Sequence, residues 1–175
     1  MKFFVIGGAG YVGSHFVCEA LLQGHDLVVF DNLSTGHRQA VPDTAKFIEG
    51  DILDEQFLSQ CIKHESPDVI FHYAALALVS ESVAKPGLYY RNNVEGTRSM
   101  LDSILASGEN CPVVFSSTCA IFGSPATLPI DEDAPKNPDS PYGFTKFACE
   151  QLLASYVKAY GMKVSAIRYF NACGA

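Results

Sequence analysis

The feature that most constrains this chain is a run of glycines wedged between an apolar strand and a helix at its start. Lys2 to Ile6 is a short apolar stretch, and Gly7-Gly8-Ala9-Gly10-Tyr11-Val12-Gly13 follows it at once. From Tyr11 to Gln23 the apolar residues Val12, Phe16 and Ala20 recur at helical spacing, and Gly24 supplies a stop. Gly7, Gly10 and Gly13 stand three apart. A strand that turns directly into a helix needs a tight bend, and bare backbone lets a pyrophosphate approach the first helical N–H groups. Glycine turns are common, so the spacing alone says little. A strand before and a helix after give it the context that a dinucleotide site requires.

The rest of the chain continues the alternation. Leu27 to Phe30 is a second apolar run that ends at Asp31, and Lys46 to Ile48 is a third. A helix is expected from about Asp54 to Lys63, then a strand over Val69 to Phe71. Val94, Thr97, Leu101 and Ile104 mark one face of a longer helix, and Val113 to Phe115 reads as a fifth strand. Asp131 to Pro138 is loop chemistry. Ser140 and Pro141 open a helix as N-cap and first residue, running to Tyr160, and Val164 to Tyr169 is a sixth strand. Continuous apolar strands separated by helices predict an α/β fold: a doubly wound, Rossmann-like parallel sheet with helices on both faces, in one domain over residues 1–175. No internal repeat or flexible linker interrupts it.

Composition removes several functions. A net charge of -7 argues against binding a nucleic-acid backbone, which calls for a basic surface. An apolar run of only four residues, Phe3 to Ile6, separates Lys2 from Gly7, too short for a secretory signal, and no apolar run approaches the length of a membrane span. The six Cys (18, 61, 111, 119, 149, 173) form no CxxC pair, and the five His (15, 25, 37, 64, 72) show no HxxxH or HExxH spacing. Reduced cysteines of a cytoplasmic protein, with Cys18, Cys119 and Cys149 as small core residues, are the expectation, and no metal site.

Two sets of residues carry candidate chemistry. Asp31 ends the second strand 18 residues past Gly13, where a carboxylate can accept from an adenosine ribose diol. By itself it is as readily a loop-opening Asp-Asn turn; beside the glycine turn the ribose reading is favoured. A carboxylate there repels a 2′-phosphate, which favours NAD over NADP. The second set is Thr118, at the end of Ser116-Ser117-Thr118 on the fifth strand, with Tyr142 and Lys146 one helical turn apart. A phenol with a pKa of about 10 is a poor base at neutral pH, but a neighbouring ammonium favours its phenolate. Each of the three in isolation is equally well a polar strand end or an ordinary helix residue.

With these residues in place the chain resembles the extended short-chain dehydrogenase/reductase family, and within it the UDP-glucose 4-epimerases. The resemblance covers essentially the whole chain. It rests on GGAGYVGSH (7–15), VVFDNLSTGHR (28–38), EGDILD (49–54), FHYAALALVSESVAKP (71–86), YYRNNVEGT (89–97), FSSTCAIFG (115–123), SPYGFTKFACEQ (140–151) and RYFNACGA (168–175). It implies that Gly7, Gly10, Tyr11, Val12, Gly13, Asp31 and Asn32 bind NAD. Asp51 and Ile52 would lie against the adenine, Tyr73, Ala74 and Asn92 would line the cofactor, and Phe170 would pack near the nicotinamide. It also implies that Tyr142 takes the proton of a UDP-sugar's 4-hydroxyl as hydride leaves C4 for NAD, giving a 4-keto sugar to which hydride returns on the other face. Thr118 would relay the proton, Lys146 would hold the nicotinamide ribose, and Asn171 would contact the nucleotide-sugar. A homodimer through the helices near 92–106 and 141–160 is implied as well.

Some positions depart from that pattern. Tyr73 stands where Phe is expected, Ser80 where Gly is, and Phe122 where Tyr is. A related 4,6-dehydratase would carry an Asp-Glu pair after the Thr; Cys119-Ala120 follows Thr118 here, which disfavours that reaction. Family members run to nearly twice this length, so the small domain that grips the uridine diphosphate is expected to be missing from this chain. Two readings therefore stand at this point: an epimerase or its catalytic portion, and an NAD-binding module with little or no turnover.

Overall fold

The computed structural model describes residues 1–173. Its elements, in chain order, are β1 (Lys2–Ile6), α1 (Tyr11–Leu22), β2 (Asp26–Asp31), β3 (Lys46–Glu49), α2 (Glu55–Glu65), β4 (Val69–His72), α3 (Val79–Ala84), α4 (Pro86–Tyr89), α5 (Gly96–Ser107), β5 (Val113–Thr118), α6 (Pro141–Tyr160) and β6 (Val164–Tyr169). All six strands are parallel and lie in the order β3-β2-β1-β4-β5-β6. The order reverses between β1 and β4, which opens a crevice at the carboxyl ends of those two strands.

The inner strands read as unbroken apolar runs because both faces of the sheet are covered there. Along β1 and β2 the side chains alternate: Phe4, Ile6, Val28 and Phe30 face one core, and Phe3, Val5, Leu27 and Val29 face the other. The first core is closed by Leu58 and Ile62 of α2, Met100, Leu101 and Ile104 of α5, and Cys149 and Leu153 of α6. The second is closed by α1 through Val17 and Ala20. The alternation of strands and helices predicted from the sequence is therefore the observed architecture, with boundaries shifted by up to three residues.

Local chemistry sets the helix ends. The Ser140 hydroxyl accepts from the Gly143 amide at 3.2 Å, Pro141 takes the first helical position, and Gly161 closes α6 with a left-handed φ of 69°. Asp54 caps α2 by accepting from the Phe57 amide at 3.0 Å. The periodicity that marked α5 merges upstream with a π-helical turn at Tyr90–Glu95. That turn carries Asn93 inward, where its amide bonds both the Leu76 backbone and the Thr145 hydroxyl. Helices α3 and α4, six and four residues long, were not anticipated; elements so short carry no periodic signature.

The cysteines need correction. Cys61, Cys111 and Cys149 are buried, Cys119 is intermediate, and Cys18 and Cys173 are exposed. Cys18 misses the core because the buried stripe of α1 is Gly13, Val17 and Ala20, and residue 18 points a quarter-turn away from it. At the other end of the sheet β6 is an edge strand, with Ser165, Ala166 and Ile167 exposed. No helix among the described residues is long and apolar enough to cross a membrane.

The glycine turn is sterically locked. Gly7 has a φ of +82°, and a Cβ there would lie 2.3 Å from the Ala74 amide nitrogen. A Cβ on Gly13 would lie 2.2 Å from the Gly7 carbonyl oxygen and 2.9 Å from Gly8 Cα, all of it backbone that cannot swing aside. Gly13→Ala should therefore cost about 1–3 kcal/mol or more of stability, read as a lower urea midpoint; an unchanged midpoint would show that the turn is looser than described.

Candidate active site

The two halves of the turn between β1 and α1 are fastened to the sheet by backbone and by one acid. The Ile6 carbonyl accepts from both the Tyr73 and Ala74 amides, at 2.8 and 3.0 Å. The Asp31 carboxylate accepts from the Ala9 amide at 2.9 Å and from the Leu33 amide at 2.8 Å. Asp31 thus performs the loop-opening turn and also ties the glycine turn to the end of β2. Its carboxylate still borders a small cavity of about 70 Å³ shared with Gly7, Gly10, Asn32, Ile52 and Ala74. Asn92 and Tyr73 line the same space. Asp51 stands behind it, accepting from Asn32 Nδ2 at 3.0 Å and from the Leu53 amide at 2.8 Å.

A larger cavity of about 510 Å³ continues from this one, sharing Gly7, Gly10 and Tyr73. Tyr11, Val12 and Gly13 border it at the start of α1, where no side chain caps the helix. Thr118, Tyr142, Lys146 and Phe170 border it on the other side. The fold therefore brings Thr118 at the end of β5 together with Tyr142 and Lys146 at the start of α6. Asn171 is exposed and is not part of this wall. The last two residues of RYFNACGA, Gly174 and Ala175, lie outside the described residues.

The electrostatics of the trio follow from burial. Lys146 is 3 % exposed; its Nζ donates to the Ser116 carbonyl at 2.8 Å and sits 4.7 Å from the centre of the Phe115 ring. Burial lowers its pKa from 10.5 to about 8, so it keeps its charge at neutral pH by a small margin. Burial also raises the Tyr142 phenol, against which the Thr118 hydroxyl bonded to it pulls down. His72, 1 % exposed and 3.0 Å from Thr97 Oγ1, is pushed down to about 3 by burial and by the Lys146 charge, so it is neutral. The Thr97 hydroxyl donates to the Asn93 carbonyl at 2.6 Å, and the Cys149 thiol to the same oxygen at 3.3 Å, which packs β4, α5 and α6 together directly behind Lys146.

Sequence reasoning missed several residues of the cavity. Tyr89 and Glu81 border it, with the Tyr89 hydroxyl donating to the Leu78 carbonyl at 2.8 Å and to Glu81 Oε2 at 3.2 Å. Tyr169 borders it from β6. The first two lie inside the SESV and YYRNN stretches, but nothing in their spacing shows that α3 and α4 fold over the sheet's open end.

This arrangement defines a class: a Rossmann-like dinucleotide fold with a hydroxyl–Tyr–Lys site at the carboxyl ends of its strands. Residues 3–175 match the model of the NAD dependent epimerase/dehydratase family, and the chain belongs to that family. It is 49% identical over 175 residues to the UDP-glucose 4-epimerase of Lactobacillus helveticus and 43% identical to that of Corynebacterium glutamicum, covering 53% and 52% of those proteins. Among solved structures it resembles the Brucella ovis UDP-glucose 4-epimerase in complex with NAD, with a TM-score of 0.96 and 48% identity over 99% of this chain and 53% of that one. The Thermotoga maritima UDP-glucose 4-epimerase with UDP-glucose gives 0.91 and 34%, over 97% and 55%. The chain spans about half the length of the curated relatives it matches.

The Lys146 shift has a measurable sign. Between about 8 and 10.5 the unfolded chain holds a proton on this lysine that the folded chain has released, so stability rises with pH across that window. Lys146→Met removes this dependence. The melting temperature of the wild type relative to the variant should rise from pH 8 to pH 10; a constant difference would mean that Lys146 is not buried as a charge.

Proposed function

We propose that this chain is the cofactor-binding and catalytic half of an NAD-dependent epimerase acting at C4 of a UDP-hexose, interconverting UDP-galactose and UDP-glucose. The observation that carries the reading is the meeting of Thr118, Tyr142 and Lys146 on one cavity that runs on from the glycine turn. The donor set fits a dinucleotide. The start of α1 has no side-chain cap, and a Cβ built on Gly10 would meet only the Gly7 carbonyl, at 3.4 Å, so the bare backbone there faces open space. Gly7, Gly10, Tyr11, Val12 and Gly13 would hold the pyrophosphate, and Asp31 with Asn32 the adenosine ribose. Asp51 and Ile52 would bound the adenine, Tyr73, Ala74 and Asn92 the cleft wall, and Phe170 the nicotinamide end. Arg38 is turned to the Val41 carbonyl at 3.0 Å and lies over the Phe47 ring, which leaves a 2′-phosphate without a partner and favours NAD.

NAD, when bound, would supply the hydride acceptor and donor for C4 of the sugar. The protein's own part is the proton. Tyr142 takes it from the 4-hydroxyl, and Thr118, on the same cavity wall, provides the relay. Burial opposes the phenolate, and the part assigned to the Lys146 ammonium, which borders the same cavity, is to offset that cost when the base is needed near neutral pH. Proton transfer back from Tyr142 regenerates the hydroxyl when the 4-keto sugar is reduced. Asn171 would approach the sugar nucleotide from the end of β6.

One observation favours the second reading, an NAD-binding module with little turnover. Lys146 is the only basic side chain among the described residues of the large cavity, so no cation there faces a substrate's diphosphate. Binding energy from such remote groups supports the chemical step. The expected result for the purified chain is bound NAD with weak or absent conversion of UDP-galactose. Full-rate conversion would remove the second reading, and the absence of both NAD and turnover would remove both. In a chimera joining residues 1–175 to the second half of a full-length relative, Tyr142→Phe should lower turnover about 10²- to 10⁴-fold and leave NAD affinity unchanged. Pairing of two copies through the helices near 92–106 and 141–160 belongs to the same proposal; Leu105, Phe144, Val157 and Tyr160 are exposed there, and sedimentation at several concentrations decides it.

A further inference from the structure

Behind the reaction cavity, one carboxylate joins three elements that border it. Glu150 follows Tyr142 and Lys146 on α6 at successive steps of four residues, so the three share one helix face. That face lies over the end of β5. Lys146 Nζ donates to the Ser116 carbonyl at 2.8 Å, and one turn further on the Ser117 hydroxyl donates to Glu150 Oε1 at 2.5 Å. Ser117 and Arg168 are register partners across β5 and β6, so their side chains leave the sheet on the same face. Arg168 reaches the same carboxylate, Nε to Oε1 at 3.1 Å and Nη2 to Oε2 at 2.9 Å. Oε1 therefore accepts from both strands at once.

An exposed ion pair would contribute little. This pair is two-pointed and largely covered, with the Glu150 side chain 9 % exposed and that of Arg168 23 %. The guanidinium is held on its other sides as well. Its Nη1 donates to the Glu132 carbonyl at 3.1 Å, and it lies 5.3 Å from the centre of the Phe122 ring. Glu150 and Arg168 do not border the reaction cavity, but the residues next to the two arms do. Thr118 follows Ser117, and Tyr169 and Phe170 follow Arg168. The second arm matters because β6 is an edge strand: it pairs only with β5, and Ser165, Ala166 and Ile167 are exposed.

We propose that Glu150 is a positioning residue for the reaction cavity: its carboxylate clamps the ends of β5 and β6 to the helix that carries Tyr142 and Lys146, and so sets where Thr118 and Phe170 stand against them. The role toward a bound nicotinamide rests on the dinucleotide reading above; the clamp itself does not. Removing Ser117 Oγ takes away one arm and leaves every charge in place, which separates loss of position from loss of charge.

The test uses Glu150→Ala, Ser117→Ala and Arg168→Met in the 175-residue chain. Without ligand, Glu150→Ala should speed amide exchange at both Thr118 and Phe170 by about tenfold or more, the range for hydrogen bonds to a charged group. Ser117→Ala should act mainly at Thr118 and Arg168→Met mainly at Phe170, with Val28 to Phe30 unchanged in all three. Adding Ser117→Ala to Glu150→Ala should change little more, since both remove the same bond. With ligand, Glu150→Ala should weaken NADH several-fold and leave ADP-ribose, which lacks the nicotinamide, unaffected; Ser117→Ala should do the same to a smaller degree. If Glu150→Ala does not fold, Ser117→Ala and Arg168→Met decide both questions. Unchanged exchange at Thr118 in Ser117→Ala, or at Phe170 in Arg168→Met, overturns the clamp. Equal losses for NADH and ADP-ribose, or no loss for either, overturn the positioning role. If the wild-type chain binds neither, the dinucleotide reading fails and the nicotinamide role fails with it, while the exchange rates still decide the clamp.

Discussion

The structure depends on one close backbone approach, at the point where β1 gives way to the glycine turn. The Ile6 carbonyl accepts two amides from the chain leaving β4, and Gly7 sits so near Ala74 that no side chain fits between them. This contact joins the two halves of the sheet at the position where strand order reverses. Any residue larger than glycine would push β4 away from β1 and open the core below. The same bareness leaves the first turn of α1 without a side-chain cap, facing the crevice. Packing and ligand access are thus two consequences of one steric constraint.

Outward from that contact, polar groups are used sparingly and in defined places. Asp31 secures the turn from the β2 side, and the network of His72, Thr97, Asn93 and Cys149 secures the π-helical turn against α6. Buried polar groups of this kind cost free energy unless bonded, so they define one arrangement of their helices. That arrangement sets where Lys146 emerges. A lysine 3 % exposed has its ammonium set against a carbonyl and an aromatic face, both of which favour the charged form. The chemistry proposed for Tyr142 draws on that charge, and so on packing at the start of α5, around Thr97.

Much of this was legible in the sequence. The inner strands could be read from their apolar runs, because both faces of the sheet are covered there and no alternation is needed; β6, at the edge, is exposed over Ser165 to Ile167. The start of α6 followed from Ser140 and Pro141, whose side chains act within a few residues. Helices α3 and α4 were not legible: too short for a period, they hold their shape by contact with the rest of the fold. Cys18 was misplaced for a related reason, since one helical position separates the buried stripe of α1 from its exposed side. The site residues separated in the same way. Gly7, Gly10, Gly13 and Asp31 were readable from local spacing, whereas Glu81, Tyr89 and Tyr169 reach the cavity from elements whose positions the sequence does not encode locally.

By itself, the sequence determined the alternation of strands and helices, the parallel sheet that it requires, the glycine turn and the i, i+4 pairing of Tyr142 with Lys146, because each depends on residues near one another in the chain. Only the tertiary structure decided which side chains share a cavity, how deeply Lys146 is buried and how the end of β6 is held. Those depend on distances between segments tens of residues apart, and such distances are set by the packing of the sheet and its helices, not by any short run of residues.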